Sequence, residues 1–133
     1  MQESPLKITK ETSAANLIRA WEPGRLLVGE QWLEGNIIVT ADEIVRDWAI
    51  PNPLALSIGD LAPAIGLHPE IILLGTGATA QMPDIGLMSA LAERGIGLEI
   101  MDTPAACRTY NVLVHEQRRV VAALLGPNEP IPG

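Results

Sequence analysis

The chain contains no phenylalanine, one tyrosine (Tyr110) and one cysteine (Cys107) among its 133 residues. Without phenylalanine, a core has to be built from Leu, Ile, Val and Ala, with Trp21, Trp32 and Trp48 as its large pieces. A single thiol excludes an intramolecular disulfide and any Cys-x-x-Cys metal or redox pair, and it suits a reducing compartment. Positive charge is scarce as well: 9 Lys and Arg stand against 16 Asp and Glu, a formal net charge of −7. That field repels phosphate backbones and anionic lipid, so neither nucleic acid nor membrane insertion is expected. Arg108, Arg118 and Arg119 are the one tight basic grouping, and with Glu116 beside them they read as a solvated face. No apolar run approaches the roughly 18 residues that a membrane-spanning helix needs. The N-terminus lacks a signal-type apolar core and carries Glu3 and Glu11, unlike an acid-poor transit peptide. A cytoplasmic protein is expected.

What is present is a folded core. Hydrophobic residues make up 47% of the chain and the mean hydropathy is +0.21, which argues against disorder. The length suits one domain. The reading is an N-terminal extension over 1–14, a single α/β domain over 15–126 and a flexible tail over 127–133. Leu6 and Ile8 alternate with Lys7 and Thr9, which allows one short strand in the extension. Pro23-Gly24 suits the centre of a type II turn, with antiparallel strands on either side. Gly29-Glu30-Gln31 and Glu34-Gly35-Asn36 are further turns, and Ile37 to Thr40 is a β-branched strand, so the section reads as a meander of short strands. Glu43 to Trp48 is either a short helix or an irregular turn ending on a buried Trp. Pro51, Asn52 and Pro53 mark a break. Ser57-Ile58-Gly59-Asp60 has the spacing of a helix start, and Gly59 and Pro63 keep that helix brief.

The second half alternates strand and helix. Ile71 to Leu74 is apolar at every position, the pattern of a central strand buried on both faces. Pro83 and Asp84 suit a first helical turn. Ile85, Met88 and Leu91 or Ala92 are its expected inward stripe, and Gly95 its C-cap. Leu98 to Met101 is the next strand. Thr103-Pro104 reads as N-cap and first helical residue, with Ala106, Tyr110, Leu113 and Val114 on one face. Val120 to Leu125 closes the sheet. This βαβαβ order predicts an α/β layered fold.

Three features carry possible chemistry. Gly75-Thr76-Gly77-Ala78-Thr79-Ala80 matches G-x-G-x-x-A after a strand, and Glu99 and Asp102 fall near the place of a ribose-binding acid, roughly 20 residues on. Dinucleotide binding also needs the helix to open within the motif, whereas Pro83 signals a late start. The glycines are then a tight strand-to-loop bend. Asp102 and Thr103 end the neighbouring strand and open a helix, so with Gly75, Thr76 and Gly77 they outline a crevice for a small anion, walled by Tyr110 and Asn111. The plainer reading is capping alone. Cys107, near a helix N-terminus and beside Arg108, is either a reactive thiolate or a buried, inert thiol. His115 lies two turns further on, about 12 Å along the axis, and does not serve as its base. His68 and His115 lack the spaced partners of a metal site.

The run Gly75-Thr76-Gly77, the segment Gly97-Leu98-Glu99-Ile100-Met101-Asp102-Thr103-Pro104-Ala105-Ala106-Cys107-Arg108-Thr109-Tyr110-Asn111-Val112-Leu113 and the run Arg118 to Leu124 resemble a family of small α/β domains of unknown function. Its eukaryotic relatives include an assembly factor for mitochondrial NADH–ubiquinone oxidoreductase (complex I) and an adipogenesis-associated protein with a Mth938-type domain. The resemblance implies a three-layer fold with a central mixed sheet, flanking helices and an extra β layer from the N-terminal strands. It implies no catalytic residue and no cofactor. The expected function is a non-enzymatic protein-binding or assembly-type factor with a protein partner and a possible homodimer. The alternative is a small-ligand or nucleotide-binding enzyme using the crevice at Gly75–Gly77 and Asp102–Thr103.

Overall fold

Turn chemistry shapes the first sheet. In the computed structural model, which describes residues 15–50, 55–83 and 85–126, strands β1 (Ile18–Glu22), β2 (Arg25–Val28) and β3 (Gln31–Glu34) form an antiparallel sheet in that order. Gly24 takes φ +89°, the conformation a type II turn demands after Pro23. Ile18, Leu26, Val28 and Leu33 point inward and are buried. Leu27 and Trp32 pair on the outer side, so Trp32 is exposed and not the core piece expected of it; the Arg25 guanidinium stacks on its ring at 4.0 Å and meets Glu22 at 2.8 Å. The expectations for 1–14, the Pro51–Pro53 break, Asp84 and 127–133 lie outside the described residues.

The second sheet holds β4 (Ile37–Val39), β5 (Ile44–Val45), β6 (Ile71–Gly75), β7 (Gly97–Met101) and β8 (Val120–Leu124) in the order β5-β4-β8-β6-β7. β6 runs parallel to β7 and β8, while β4 is antiparallel to β8 and β5. The unbroken apolar run of β6 is explained by its place: Ile72, Leu73 and Leu74 are all 0% exposed. Ile72 and Leu74 join Ile38, Leu98, Val121 and Ala123 on one face, beneath helices α1 (Ala62–Ile65) and α2 (Ile85–Ala92). Leu73 joins Ile37, Val39, Val120, Ala122 and Leu124 on the other, beneath helix α3 (Thr103–His115) and the inner face of the first sheet. The result is the three-layer arrangement with an extra β layer.

Local chemistry accounts for the helix ends. Ser57 and Asp60 exchange backbone and side-chain bonds at 2.9 and 3.2 Å, which close the turn leading into α1, whose own N-cap, Leu61, has no side-chain cap. Of Glu43–Trp48, Ile44 and Val45 form β5, and Trp48 is buried with its indole N–H donating to Asp60 O at 2.8 Å. Two expectations are corrected. The buried residues of α2 are Leu87 and Leu91, while Ile85 is 81% exposed and Met88 is also exposed. Nothing in the eight-residue helix Ile-Gly-Leu-Met-Ser-Ala-Leu-Ala is charged, so no polar face decides its rotation. The N-cap of α3 is Asp102, not Thr103: the Asp102 carboxylate accepts the Ala105 amide at 2.7 Å.

α2 and α3 end in the same way. Gly95 takes φ +75°, with its amide bonded to Ala92 O and that of Ile96 to Leu91 O. Gln117 takes φ +63°, with its amide bonded to Val114 O and that of Arg118 to Leu113 O. Both are Schellman closures that favour glycine. Replacing Gln117 by Gly is expected to stabilise the protein by about 0.5–1 kcal/mol, and Gly95→Ala to destabilise it by about 1 kcal/mol. Urea unfolding of the two variants measures both, and shifts of the opposite sign refute the assignment.

Candidate functional site

β6 leaves the sheet toward α2 on one face, and its parallel neighbour β7 leaves toward α3 on the other. Such a divergence opens a crevice at the carboxyl ends of strands in α/β sheets. The structure brings Gly75, Thr76, Gly77, Asp102 and Thr103 together there. Thr103 is fully buried. Its hydroxyl accepts the Gly77 amide at 2.8 Å and donates to Leu125 O at 3.1 Å, while its own amide donates to Gly77 O at 2.8 Å. A Cβ on Gly75 would lie 3.0 Å from Thr103 Cα, tighter than ordinary contact, so a larger residue would push the helix start back by a few tenths of an ångström. The Thr76 hydroxyl donates to Thr79 O at 2.8 Å, with Met101 O at 3.3 Å, and accepts the Gln81 amide at 2.9 Å. The amides of Gly77, Thr103 and Ala105 that would greet an anion are therefore engaged internally.

Tyr110 and Asn111 do not join this group. They lie two turns along α3, roughly 10 Å further at 1.5 Å per residue. The Tyr110 hydroxyl donates to Asn16 O at 2.6 Å, and burial pushes its ionisation up, with Asp42 adding to the shift. The Asn111 carboxamide accepts the Ile18 amide at 2.9 Å and donates to Ile18 O at 2.7 Å. Both side chains tie α3 to the first sheet. Cys107 is buried, and desolvation pushes its thiol up to about 12, with Asp102 adding to the rise and Arg108 opposing it. A thiolate is correspondingly scarce at neutral pH. Among the described residues no group of three His, Cys, Asp or Glu stands close enough to hold a metal ion.

At the opposite end of the sheet, a cleft of about 300 Å³ includes Leu17, Asp42, His115 and Arg118. It shares Leu17 and His115 with an open trough of about 510 Å³ beside Val112. Arg118 there pairs with Glu70 at 3.2 Å, and the Arg119 amide bonds the same carboxylate at 2.9 Å. The Arg119 backbone bond is the largest influence on the Glu70 carboxyl and holds it below its usual range against desolvation, with the Arg118 charge a smaller addition in the same direction.

A surface that the sequence reading missed is the outer side of α2. Ile85 and Met88, with Met82 just upstream at 70% exposure, leave large apolar side chains in solvent on a helix without a charge. A helix that is apolar all round is normally covered all round. The composition of 85–92 carries that signal, although helical spacing alone places Ile85 and Met88 in the core.

Comparison with known proteins places these features in context. The model of the family described as protein of unknown function (DUF498/DUF598) matches residues 18–125. The chain is 32% identical over 120 residues to the zebrafish (Danio rerio) protein NADH dehydrogenase [ubiquinone] 1 alpha subcomplex assembly factor 3, covering 89% of this chain and 68% of that protein. In its human counterpart the matching stretch is 32% of the protein. A crystal structure from Bordetella parapertussis superposes with a TM-score of 0.78 at 36% identity, covering 85% of this chain and 97% of that one. A Bordetella pertussis protein described as a Mth938-like domain superposes with a TM-score of 0.75 at 26% identity, covering 98% and 96%.

Thr103→Val strands the Gly77 amide and the Leu125 carbonyl, and is expected to cost about 2–4 kcal/mol. Thr103→Ser keeps the hydroxyl and is expected to cost about 1 kcal/mol. Denaturant unfolding of the pair checks this, and equal losses would show that the hydroxyl is not what matters. Native protein treated with iodoacetamide at mildly alkaline pH is expected to keep Cys107 unmodified, with full labelling once unfolded. Rapid labelling of the native state, read by mass spectrometry, would contradict a buried inert thiol.

Proposed function

The chain belongs to the DUF498/DUF598 family, and on that premise we propose that it is a non-enzymatic protein-binding factor of assembly type, acting in the cytoplasm. The observation that carries this reading is the outer face of α2, where an uncharged helix presents Ile85 and Met88 to solvent. Burying large apolar side chains is the dominant gain in most protein association, and such patches mark interaction sites. The zebrafish relative is itself named as an assembly factor. No helix among the described residues is long and apolar enough to cross a membrane. The lone buried thiol suits a reducing compartment.

The small-ligand reading of the strand-end crevice has less support. A ligand at Gly77 and Thr103 has to displace hydrogen bonds that close the ends of β6 and β8 on α3. Cys107 is buried and has no base on its own helix within reach, so a nucleophile–base pair of the kind covalent catalysis uses is not supported.

The test is affinity purification from native lysate with the wild-type chain and with the double variant Ile85→Glu, Met88→Glu. Both positions are exposed, so stability is expected to change by about 0.5 kcal/mol or less per site. A stoichiometric partner retained by wild type and lost by the variant, at unchanged thermal stability, is the expected result. Absence of any enriched partner for wild type defeats the proposal.

A further inference from the structure

Open strand edges invite pairing, and proteins protect them. Among the described residues the two sheets have four edges, three of them protected. β1 carries an irregularity between Ile18 and Ala20 and is clasped at Ile18 by the Asn111 side chain. β3 is bounded by the exposed acids Glu30 and Glu34. β5 is two residues long. β7 differs: it is five residues long, pairs regularly with β6, contains neither proline nor lysine, and carries a single charge, Glu99, at its centre.

The register shows which groups β7 leaves free. The Gly97 amide donates to Glu70 O and the Met101 carbonyl accepts the Thr76 amide, so residues 97, 99 and 101 bond toward β6. Backbone groups alternate sides along a strand, so the amides and carbonyls of Leu98 and Ile100 point away from it. Their side chains lie on the face covered by α2, in the core beneath it. α2 packs against β7. Successive helical residues are about 100° apart. With Leu87 and Leu91 turned to the sheet, Gly86 and Ala90 fall on one flank and Met88 and Ala92 on the other, with Ile85 above them. The first flank faces Leu56 and Ile58 across a cleft of about 200 Å³. The second therefore overhangs the free side of β7.

On the other face of β7 the exposed Glu99 makes no ion pair among the described residues. Neither β7 nor α2 carries a positive charge. We propose that the open edge of β7, overhung by Met88 and Ile85, receives an extended segment of another protein as an added sheet strand, with apolar residues on the α2 side and lysine or arginine on the Glu99 side. Main-chain bonds to Leu98 and Ile100 would supply affinity and the alternating side chains specificity, as in other strand-addition sites. A second copy of this chain fits less well, because an antiparallel pairing centred on Glu99 sets two carboxylates against each other. This docking mode presupposes the protein-binding function and specifies its surface.

Two capped seven-residue peptides serve as probes, one alternating lysine with isoleucine and the other glutamate with isoleucine. Amide exchange by NMR on the full chain is expected to slow about tenfold at Leu98 and Ile100 when the lysine peptide is present at ten times its Kd. The lysine peptide is expected to bind about fivefold more tightly than the glutamate peptide, and Glu99→Lys to reverse that order. Unchanged exchange at Leu98 and Ile100, or a peptide preference indifferent to Glu99→Lys, overturns the proposal. Protection of those two amides that rises with protein concentration without peptide, alongside a dimer in sedimentation, assigns the edge to a second copy and also overturns it. A native partner that needs Ile85 and Met88 while neither peptide protects β7 leaves the protein-binding function standing and removes this docking mode.

Discussion

Thr103 Oγ1 sits where three elements end. It accepts from Gly77 beyond β6, donates to Leu125 beyond β8, and belongs to the first turn of α3. The close approach is favoured by glycine at 75, because a Cβ there would press on Thr103 and on Leu124 at 3.0 Å. With that approach secured, the Asp102 carboxylate is free to cap the helix. Ala106, Cys107 and Tyr110 then fall on the sheet side of α3. Tyr110 and Asn111 in turn reach the first sheet. One hydroxyl and one small residue thus help seat the start of α3 against the ends of β6 and β8.

Much of this is visible in the residues themselves. A strand apolar at every position, Ile71 to Leu74, has to be covered on both sides, and it is. Pro23-Gly24 and Gly95 act locally, so their turns are legible without the fold. The errors arise where local rules allow two answers. Asp102 and Thr103 are both good caps, and the choice is settled by bonds from Thr103 to Gly77 and Leu125, distant in sequence. α2 has apolar residues on every side, so periodicity cannot say which stripe faces in. Asn111 meets Ile18 across 93 positions, and nothing near either residue announces the contact.

The family likeness and the architecture point in one direction. The strand-end crevice, where α/β domains commonly hold ligands, is closed here by the fold's own hydrogen bonds. Among the described residues, exposed apolar side chains and an outer strand edge lie elsewhere, on α2 and along β7. The proposed protein-binding function makes use of that flank and leaves the crevice to the fold. The named assembly factor among its relatives is consistent with that division.

The neutrality of α2 also has a colloidal side. A formal net charge of −7 keeps copies of the chain apart at neutral pH, so an apolar helix can remain uncovered without drawing molecules together. The calculated isoelectric point is about 4.7, and on acidification toward it the repulsion fades while Met82, Ile85 and Met88 stay as apolar as before. On this argument the attraction left near the isoelectric point comes from a helix that carries no titratable group.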